Sequence, residues 1–193
     1  MLRHGAKANG LKMDSEGWVE VRDILRLADC VKRGVTEDEI RFIVSTNDKQ
    51  RYVLKDGRIR ANQGHSIEVD LQLRKVTSAA EVPNGIAVHG TYLKAWHGGI
   101  KGQGLSKMGR QHIHFAVGKP GAGEVISGMR STAEVLIYLD LEKCLQDGIP
   151  IFLSENNVVL SPGINGIIPT IYFKYVLGKN DKPFDSAFPN QPN

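Results

Sequence analysis

Nine residues in the first third of the chain, RIRANQGHS (58–66), combine side chains that proteins use to hold anions. In a strand, alternate residues share a face, so Arg58, Arg60 and Asn62 are predicted to project from one side. Three further hydrogen-bonding residues follow at once: Gln63, His65 and Ser66. A planar guanidinium matches phosphate oxygens, and a protonated imidazole adds a donor. The stretch therefore predicts a phosphate or RNA-backbone site; the alternative is a strand face whose charges point into water.

A second polar run, GRQHIHF (109–115), is predicted to be a strand with two different faces. Alternation puts Arg110, His112 and His114 on one face, while Ile113 and Phe115 face the core. Paired histidines raise the question of a metal, but no Cys or carboxylate at zinc-like spacing completes a ligand set. We expect no metal, and we expect the Arg-His-His stripe to line a binding site.

Three shorter stretches carry weaker signals. In VHGT (88–91) a strand runs into polar residues beside a glycine that lets a ligand approach the backbone, at His89, Gly90 and Thr91. A polar loop suits a cofactor phosphate or ribose, or equally an ordinary turn, at Ser127, Gly128, Arg130 and Ser131. In LRHGA, Arg3 and His4 are adjacent, and taken alone they would be fraying terminal residues.

The first part of the chain contains clear signals for the elements that must position these residues. DSEGWVEVRDIL (14–25) predicts a short strand or turn that runs into a helix. VTEDEIRFIVSTN (35–47) predicts a helix whose N-cap is Thr36, with Glu39 completing a capping box. The apolar stripe of that helix is predicted to comprise Ile40, Ile43 and Val44.

Two strand-like runs follow, joined by Lys55-Asp56-Gly57, which is a hairpin signal because Asp-Gly tolerates the positive φ of tight turns. Helices that end in a basic hairpin predict a winged-helix module, a common nucleic-acid binder. The pattern loosens between about residues 67 and 83, where we place a domain boundary.

The second part predicts an antiparallel, strand-rich α+β domain. Its strands are expected in GIAVHGT, HIHFAV, AEVLIYLD, IPIFLSENNVVLSPG and IIPTIYF. One helix is expected at about residues 93–100, ahead of HIHFAV. The segment after Leu177, rich in Asn and Pro, is expected to be a disordered tail.

Composition narrows the classes of protein. The 193 residues carry a net charge of +4, a mild bias toward anionic partners. Cys30 and Cys144 lie far apart and predict buried thiols rather than a disulfide framework, so a cytosolic or nuclear location is the default expectation. No apolar run approaches the roughly 20 residues that span a bilayer, and no membrane association is expected.

Together these stretches resemble the tRNA 2′-phosphotransferase family along essentially the whole chain. The motifs that carry the resemblance are LRHGA, GLKMDSEGWVEV, NDKQRYVL, IRANQGHS, VHGTY, GLSKMGRQHIHFA, ISGMRSTAEVLIYLD and GIPIFLSENNVVLSPG. They are chemically distinctive and occur in the family's order. The resemblance implies an α+β protein with an N-terminal winged-helix lobe that meets RNA (1–75), a C-terminal ADP-ribosyltransferase-like antiparallel β lobe that holds NAD (84–178), and a disordered tail (179–193).

The resemblance also implies a two-step reaction without metal. The 2′-phosphate left at an RNA splice junction attacks C1″ of the NAD ribose and expels nicotinamide, giving an ADP-ribosylated 2′-phospho-RNA. The ribose 2″-hydroxyl then attacks that phosphorus, which releases RNA with a free 2′-hydroxyl and ADP-ribose 1″,2″-cyclic phosphate. The implied partners are NAD as co-substrate and RNA with an internal 2′-phosphate, such as tRNA; a monomer is expected.

The family's residues map onto this sequence by motif. The implied catalytic tetrad is Arg3, His4, Arg60 and Arg110. The implied contacts to RNA and its 2′-phosphate are Arg58, Gln63, His65 and Ser66. The implied NAD contacts are His89, Gly90, Thr91, His112, His114, Ser127, Gly128, Arg130 and Ser131; the sequence leaves open which of the two histidines near residue 113 faces NAD.

Two departures and two alternatives accompany the resemblance. Family members usually carry a helical segment before Arg-His, so the start of this chain is expected to be truncated. The glutamate of protein-modifying relatives has no clear counterpart, which favours a phosphate acceptor because phosphate needs no carboxylate to activate it. The alternatives are an ADP-ribosyltransferase acting on nucleic-acid terminal phosphates, and an inactive winged-helix RNA-binding protein.

Overall fold

The computed structural model describes residues 1–118, 129, 132–178, 182–185 and 188. The described residues form a mixed α and β protein whose strand ladders are all antiparallel. The chain divides into two compact units, Met1–Gln72 with Gly109–Gln111, and Leu73–Met108 with His112–Asn193. The single domain boundary predicted from the sequence does not account for residues 109–111, which belong to the first unit.

The first unit contains three short helices and a three-stranded sheet. Its elements are a 3₁₀ turn (Lys7–Asn9), β1 (Val19–Glu20), α1 (Val21–Leu25), α2 (Ala28–Arg33), α3 (Glu37–Ser45), β2 (Tyr52–Lys55) and β3 (Arg58–Ala61). The strand order is β1-β3-β2, which puts β3 in the centre. The central strand therefore has a hydrogen-bonded neighbour on both sides, and this fixes the direction of its side chains.

Local signals predicted α1, α3 and the β2–β3 hairpin correctly, whereas α2 was not predicted. The β2–β3 hairpin turns through Asp56 and Gly57, which have φ of 49° and 73°. The side chain of Thr36 accepts from the N–H of Glu39 and the Glu39 carboxylate accepts from the N–H of Thr36, so the predicted capping box is confirmed. The predicted apolar stripe is confirmed at Ile40, which is buried in the core, and at Val44, which packs against that core, but it is wrong at Ile43, which is exposed.

The core of the first unit explains how the arginine-bearing strand is oriented. Ile59 and Ala61 of β3 are buried in this core. The alternating residues Arg58 and Arg60 therefore point to the opposite face, as predicted. The extreme N-terminus contributes as well, because Leu2 and Ala6 are buried in the same core. Burial of these two side chains fixes the short segment between them, which carries Arg3 and His4.

The second unit is built mainly from short strands. Its strands are β4 (Arg74–Lys75), β5 (Val88–Thr91), β6 (Leu105–Ser106), β7 (Ile113–Phe115), β8 (Val135–Leu139), β9 (Phe152–Leu153), β10 (Val159–Ser161), β11 (Ile167–Ile168) and β12 (Phe173–Gly178). They form sheets in the orders β4-β9-β10-β7, β12-β8-β5 and β11-β6. The five strand-bearing stretches named from the sequence all contain strands.

Helical segments complete this unit. The helix expected at residues 93–100 is present, and it consists of α4 (Leu93–Ala95), a π-helical stretch (Trp96–Ile100) and α5 (Lys101–Gln103). The sequence prediction did not include α6 (Leu141–Gln146), which is capped by the Asp140 side chain. Three 3₁₀ turns span Ala79–Glu81, Pro83–Gly85 and Thr170–Tyr172.

Part of the segment expected to be a tail is packed. Phe184 and Phe188 contact the buried Trp96 at ring-centroid distances of 6.1 Å and 5.4 Å, and Pro183 forms a bridge with Leu177. The expectation of disorder is wrong for these residues, because the burial of their aromatic rings outweighs the Asn- and Pro-rich composition of the segment. The rest of that segment lies outside the described residues.

Cys30 and Cys144 are both free thiols, as expected; Cys144 is fully buried, whereas the expectation of burial is wrong for Cys30, which is only partly buried. Burial raises the pKa of the Cys144 thiol to about 12. In the part of the chain that the structure describes, no helix is both long and apolar enough to cross a membrane.

A glycine after α5 gives a test of this unit. Gly104 has φ of 92° and ψ of −175°, a conformation nearly confined to glycine, and an added Cβ would collide with the carbonyl oxygen of Ile168. We expect Gly104→Ala to lower the free energy of unfolding by about 2 kcal/mol or more. Chemical denaturation measures this.

Gly102→Ala is the matched control, because Gly102 lies two residues earlier within α5 and an added Cβ would meet no described atom within 4 Å. It should be neutral or stabilising by up to about 1 kcal/mol. Equal effects of the two alanines would contradict the backbone geometry assigned to Gly104.

Candidate functional site

The N-terminal segment is tied to the segment that follows β3. The N–H of Ser66 donates to the carbonyl of Arg3 at 3.0 Å, and Nδ1 of His4 is hydrogen-bonded to Oγ of Ser66 at 3.0 Å. The Ser66 hydroxyl lies 3.5 Å from the Arg3 carbonyl, to which it donates. The hydroxyl can then accept from Nδ1–H of His4, a pattern that leaves Nε2 of His4 as the basic nitrogen.

Three of the polar residues after β3, Asn62, Gln63 and His65, are buried, whereas Ser66 is exposed. The N–H of Asn62 donates to the carbonyl of Arg51 at 2.9 Å, and its side-chain amide donates to the carbonyl of Gln50 at 2.7 Å. Gln63 is buried, and only 1% of His65 is exposed. Within the described residues, both ring nitrogens of His65 are without a hydrogen-bond partner. A buried polar atom left unpaired costs about 1–3 kcal/mol, and such atoms often mark functional sites.

Arg3 shows the same feature. Its Nε and Nη2 atoms are buried and have no hydrogen-bond partner among the described residues. Burial lowers the pKa of Arg3; Tyr52 raises this pKa, whereas Arg51 and Arg110 lower it. Arginine nevertheless stays charged at any working pH. The segment therefore presents buried cationic donors that an anion would satisfy.

Burial and neighbouring cations also lower the pKa values of His4 and His65. Burial lowers the pKa of His4, and Arg110, Arg3 and the N-terminal amine lower it further. Burial, followed by Arg3, His4 and Arg60, lowers the pKa of His65 to about 4. Each shift has the sign expected where positive charge is concentrated, and a bound anion would oppose all of them.

Arg60 is positioned by an aromatic ring. Its Cζ lies 4.7 Å from the ring centroid of Trp18, and each of these two residues is only 8% exposed. A desolvated cation–π contact of this kind contributes about 2 kcal/mol. Arg58, on the same face, lies 5.4 Å from that centroid and forms an ion pair with Asp14 at 3.4 Å. The predicted RNA-backbone contact, Arg58, is thus already held by a carboxylate.

The predicted stripe of Arg110, His112 and His114 is wrong. Arg110 lies in a bend before β7, which begins only at Ile113, so strand alternation does not extend to it. Residues 109–111 belong to the first unit, whereas both histidines belong to the second. The side-chain amide of Gln111 donates to the carbonyl of Val69 at 2.9 Å, which ties this short segment to the first unit.

The histidines of the second unit form their own polar group. Nδ1 of His89 donates to the carbonyl of His114 at 2.9 Å, because a carbonyl oxygen can only accept. The His89 ring also packs edge-on against Phe115. His112 is half-buried against Phe152, and burial followed by Lys107 lowers its pKa. Near neutral pH this imidazole is therefore predominantly uncharged.

Gly90 lies within β5, where the side chains of Met129 and Ala133 pack closely against its backbone. A Cβ at this position would collide with Met129 and would lie 2.8 Å from Ala133, so glycine is required there. Met129 and Ala133 occupy the space on that side of the strand. Thr91 is buried, and its carbonyl accepts from the N–H of Glu134 at 2.8 Å. The residues predicted from the polar loop, Ser127, Gly128, Arg130 and Ser131, lie outside the described residues.

The structure therefore assembles one group of predicted residues in the first unit and a separate group in the second. The first group consists of Arg3, His4, Arg60, His65, Ser66 and Arg110. Sequence reasoning missed Arg51 and Trp18, although both lie in motifs that carry the family resemblance. Only the pairing of β1 with β3 could have assigned Trp18 to the site. Nowhere in residues 1–118, 129, 132–178, 182–185 and 188 do three His, Cys, Asp or Glu side chains cluster as a metal ion would require.

Guanidinium donors beside a histidine, in a mixed α and β protein, are an arrangement suited to binding phosphate. Comparison with known proteins specifies it further. The model of the family described as RNA 2′-phosphotransferase, Tpt1/KptA, matches residues 1–163. The chain belongs to this family, which confirms the family inferred from the motifs.

Curated relatives agree. "tRNA 2′-phosphotransferase 1" of Danio rerio is 46% identical over 181 residues, which cover 90% of this chain and 79% of that protein. The human protein of the same name is 42% identical over 184 residues, covering 91% and 71%. "Probable RNA 2′-phosphotransferase" of Rhizobium leguminosarum is 37% identical over 164 residues, covering 85% of each.

The buried His65 predicts how stability depends on pH. Its folded pKa, about 4, lies below the ordinary value of 6.5, so the unfolded chain binds the proton more tightly. The free energy of unfolding should therefore fall as the pH drops from about 6.5 toward 4. We expect His65→Asn to lose less stability than the wild type between pH 7 and 4.5, by about 2 kcal/mol.

Urea denaturation at both pH values tests this expectation. The control is His97→Asn at an exposed histidine of the second unit, which should keep the wild-type pH dependence. An identical pH dependence in His65→Asn and the wild type would show that His65 is not held neutral by its surroundings.

Proposed function

We propose that this chain removes the 2′-phosphate of RNA by transferring it to NAD, yielding RNA with a 2′-hydroxyl, ADP-ribose 1″,2″-cyclic phosphate and nicotinamide. Family membership supports a 2′-phosphotransferase activity. The motif residues that the resemblance assigns to catalysis support the NAD-dependent route. An ADP-ribosylated 2′-phospho-RNA is the proposed intermediate.

The observation that carries the proposal is a set of buried, unpaired nitrogen atoms in the first unit: two donors of Arg3, and the ring of His65, which has one N–H donor when it is neutral. Nε and Nη2 of Arg3 and the ring nitrogens of His65 have no partner within the described residues, and positive neighbours surround them. A phosphate dianion supplies several acceptor oxygens and two negative charges. It would satisfy the donors and offset the repulsion, whereas a neutral ligand would do only the first.

The proposed division of labour assigns RNA to the first unit. Helices α1–α3 and the β2–β3 hairpin support a winged-helix interpretation, with the hairpin as the wing. Arg60 and Arg110 would hold the 2′-phosphate together with Arg3. Fixed guanidiniums stabilise charge that develops on phosphoryl oxygens during transfer, and they orient the phosphate for in-line attack.

The second unit supports an assignment to NAD on the chemistry of its side chains. His112 is kept neutral by burial, and the ring of His89 donates a hydrogen bond to the backbone carbonyl of His114. Neutral imidazoles can hydrogen-bond to a ligand without repelling the positive charge of a nicotinamide ring. These histidines and the backbone of β5 would hold NAD, which supplies a ribose carbon that accepts the phosphate oxygen.

Proton movement falls to His4. The arginines stay charged, so they cannot exchange a proton near neutral pH. The Ser66 hydrogen bond leaves Nε2 of His4 as the basic nitrogen, and the lowered pKa keeps it largely unprotonated. His4 can therefore accept the proton of the attacking ribose hydroxyl and return it to the departing 2′-oxygen of RNA.

The decisive experiment uses a short RNA with one internal 2′-phosphate and NAD. We expect NAD-dependent loss of the 2′-phosphate with equal amounts of nicotinamide and cyclic phosphate, unaffected by EDTA. Mass spectrometry and nicotinamide release measure the products. Absence of turnover would contradict the proposal, and an ADP-ribosyl RNA that accumulates without resolving would indicate a terminal ADP-ribosyltransferase instead.

Arg60→Ala tests the central guanidinium. Loss of charge-assisted hydrogen bonds felt in the transition state costs about 1.5–3 kcal/mol, so we expect kcat to fall by roughly one to two orders of magnitude. The matched control is Arg26→Ala, which removes an exposed arginine of the same unit whose partner is Asp23. It should keep wild-type kcat, and equal losses in both variants would exclude a specific role for Arg60.

A further inference from the structure

Strand pairing brings a tryptophan beside the central arginine. β1 pairs with β3 so that Glu20 faces Arg58 and Val19 faces Ile59. Trp18 immediately precedes β1, and the Cζ of Arg60 lies over its ring. The indole therefore lies on the face that carries the arginines.

Stacking suits a guanidinium that must bind an anion. The ring of Trp18 lies against Arg60 at 4.7 Å from Cζ, and both side chains are buried. A ring packed against a guanidinium restricts its rotation without adding a negative charge that would compete with a phosphate. Arg58, on the same face, forms an ion pair with Asp14.

The tryptophan is itself held by its loop. Oδ1 of Asp14 accepts from the N–H groups of Glu16 and Trp18, at 3.0 Å and 2.8 Å, and the N–H of Asp14 donates to the Trp18 carbonyl at 3.0 Å. Oδ2 of the same carboxylate forms the ion pair with Arg58 at 3.4 Å. One carboxylate thus fixes both the backbone under the indole and the second arginine beside it.

We propose that Trp18 is a positioning residue, which orients the guanidinium of Arg60 toward the RNA 2′-phosphate and is kept in place by the Asp14–Arg58 pair. The inference rests on the proposed function, because it gives Arg60 the phosphate as its ligand. It adds two residues, Trp18 and Asp14, to the determinants of phosphate transfer.

The test compares Trp18→Leu, which removes the ring, with Trp18→Phe, which keeps an aromatic face. We expect Trp18→Leu to lower kcat about tenfold without changing the KM for NAD, and Trp18→Phe to restore kcat to within about threefold of the wild type. In an Arg60→Lys background, where no planar fork remains to be oriented, Trp18→Leu should change kcat by less than about twofold.

A binding measurement separates this inference from the proposed function. Wild type should bind an RNA with a 2′-phosphate more tightly than the same RNA with a 2′-hydroxyl, and Trp18→Leu should lose about tenfold of that preference. If the wild type binds with this preference but gives no turnover with NAD, the proposed reaction fails while the role of Trp18 is still decided by the variant.

Asp14→Asn is a second test of the proposal, for use if Trp18→Leu does not fold. The amide oxygen can still accept from the loop N–H groups, while the charge facing Arg58 is lost, so we expect a loss in kcat of about twofold to fivefold. Thermal unfolding accompanies every measurement. Equal losses in Trp18→Leu and Trp18→Phe, or wild-type kcat and phosphate preference in Trp18→Leu or in Asp14→Asn, would overturn the proposal.

Discussion

Repulsion between positive charges held close together is the constraint on which the first unit depends. After burial, which lowers the pKa of both histidines most, Arg110 and Arg3 lower the pKa of His4 further, and Arg3, His4 and Arg60 lower that of His65. Several donors in this group are also buried without partners among the described residues. Such an arrangement is unfavourable in the absence of an anion, so the rest of the unit must hold it in place.

Apolar burial at the edges of the site opposes that repulsion. Leu2 and Ala6, which lie before and after the Arg3–His4 pair, are buried in the core. Ile59 and Ala61, which flank Arg60, are buried in the same core. Ser66 then connects the two segments through backbone and side-chain hydrogen bonds. The charged residues are therefore interleaved with core residues, and the site cannot spread apart without exposing apolar surface to water. On the proposed function, stability is given up locally for a preorganised anion site, as many functional sites require.

Features of the fold that depend on neighbouring residues were predictable from the sequence. The Asp56-Gly57 turn and the Thr36 capping box each require only a few adjacent residues of the right type, and both are present. The identity of the arginines and histidines in the site followed from motifs. What could not be predicted depends on tertiary packing: the strand at β7 begins after Arg110, and Phe184 and Phe188 find a buried tryptophan far away in sequence. Periodicity assumes that an element continues, and it cannot detect where long-range pairing ends it.

The two polar groups differ in a way that follows from the chemistry of their residues. Arginine keeps its charge when buried, so the polar group of the first unit remains positive at any working pH. Histidine loses its charge when buried, so His112 in the second unit becomes a neutral hydrogen-bonding group. On the proposed function this separation matches the two substrates, because RNA offers a dianionic phosphate whereas NAD carries a cationic nicotinamide. Exchanging the residue types would bind each substrate less well: neutral histidines would leave the phosphate charge unbalanced, and arginines would repel the nicotinamide ring.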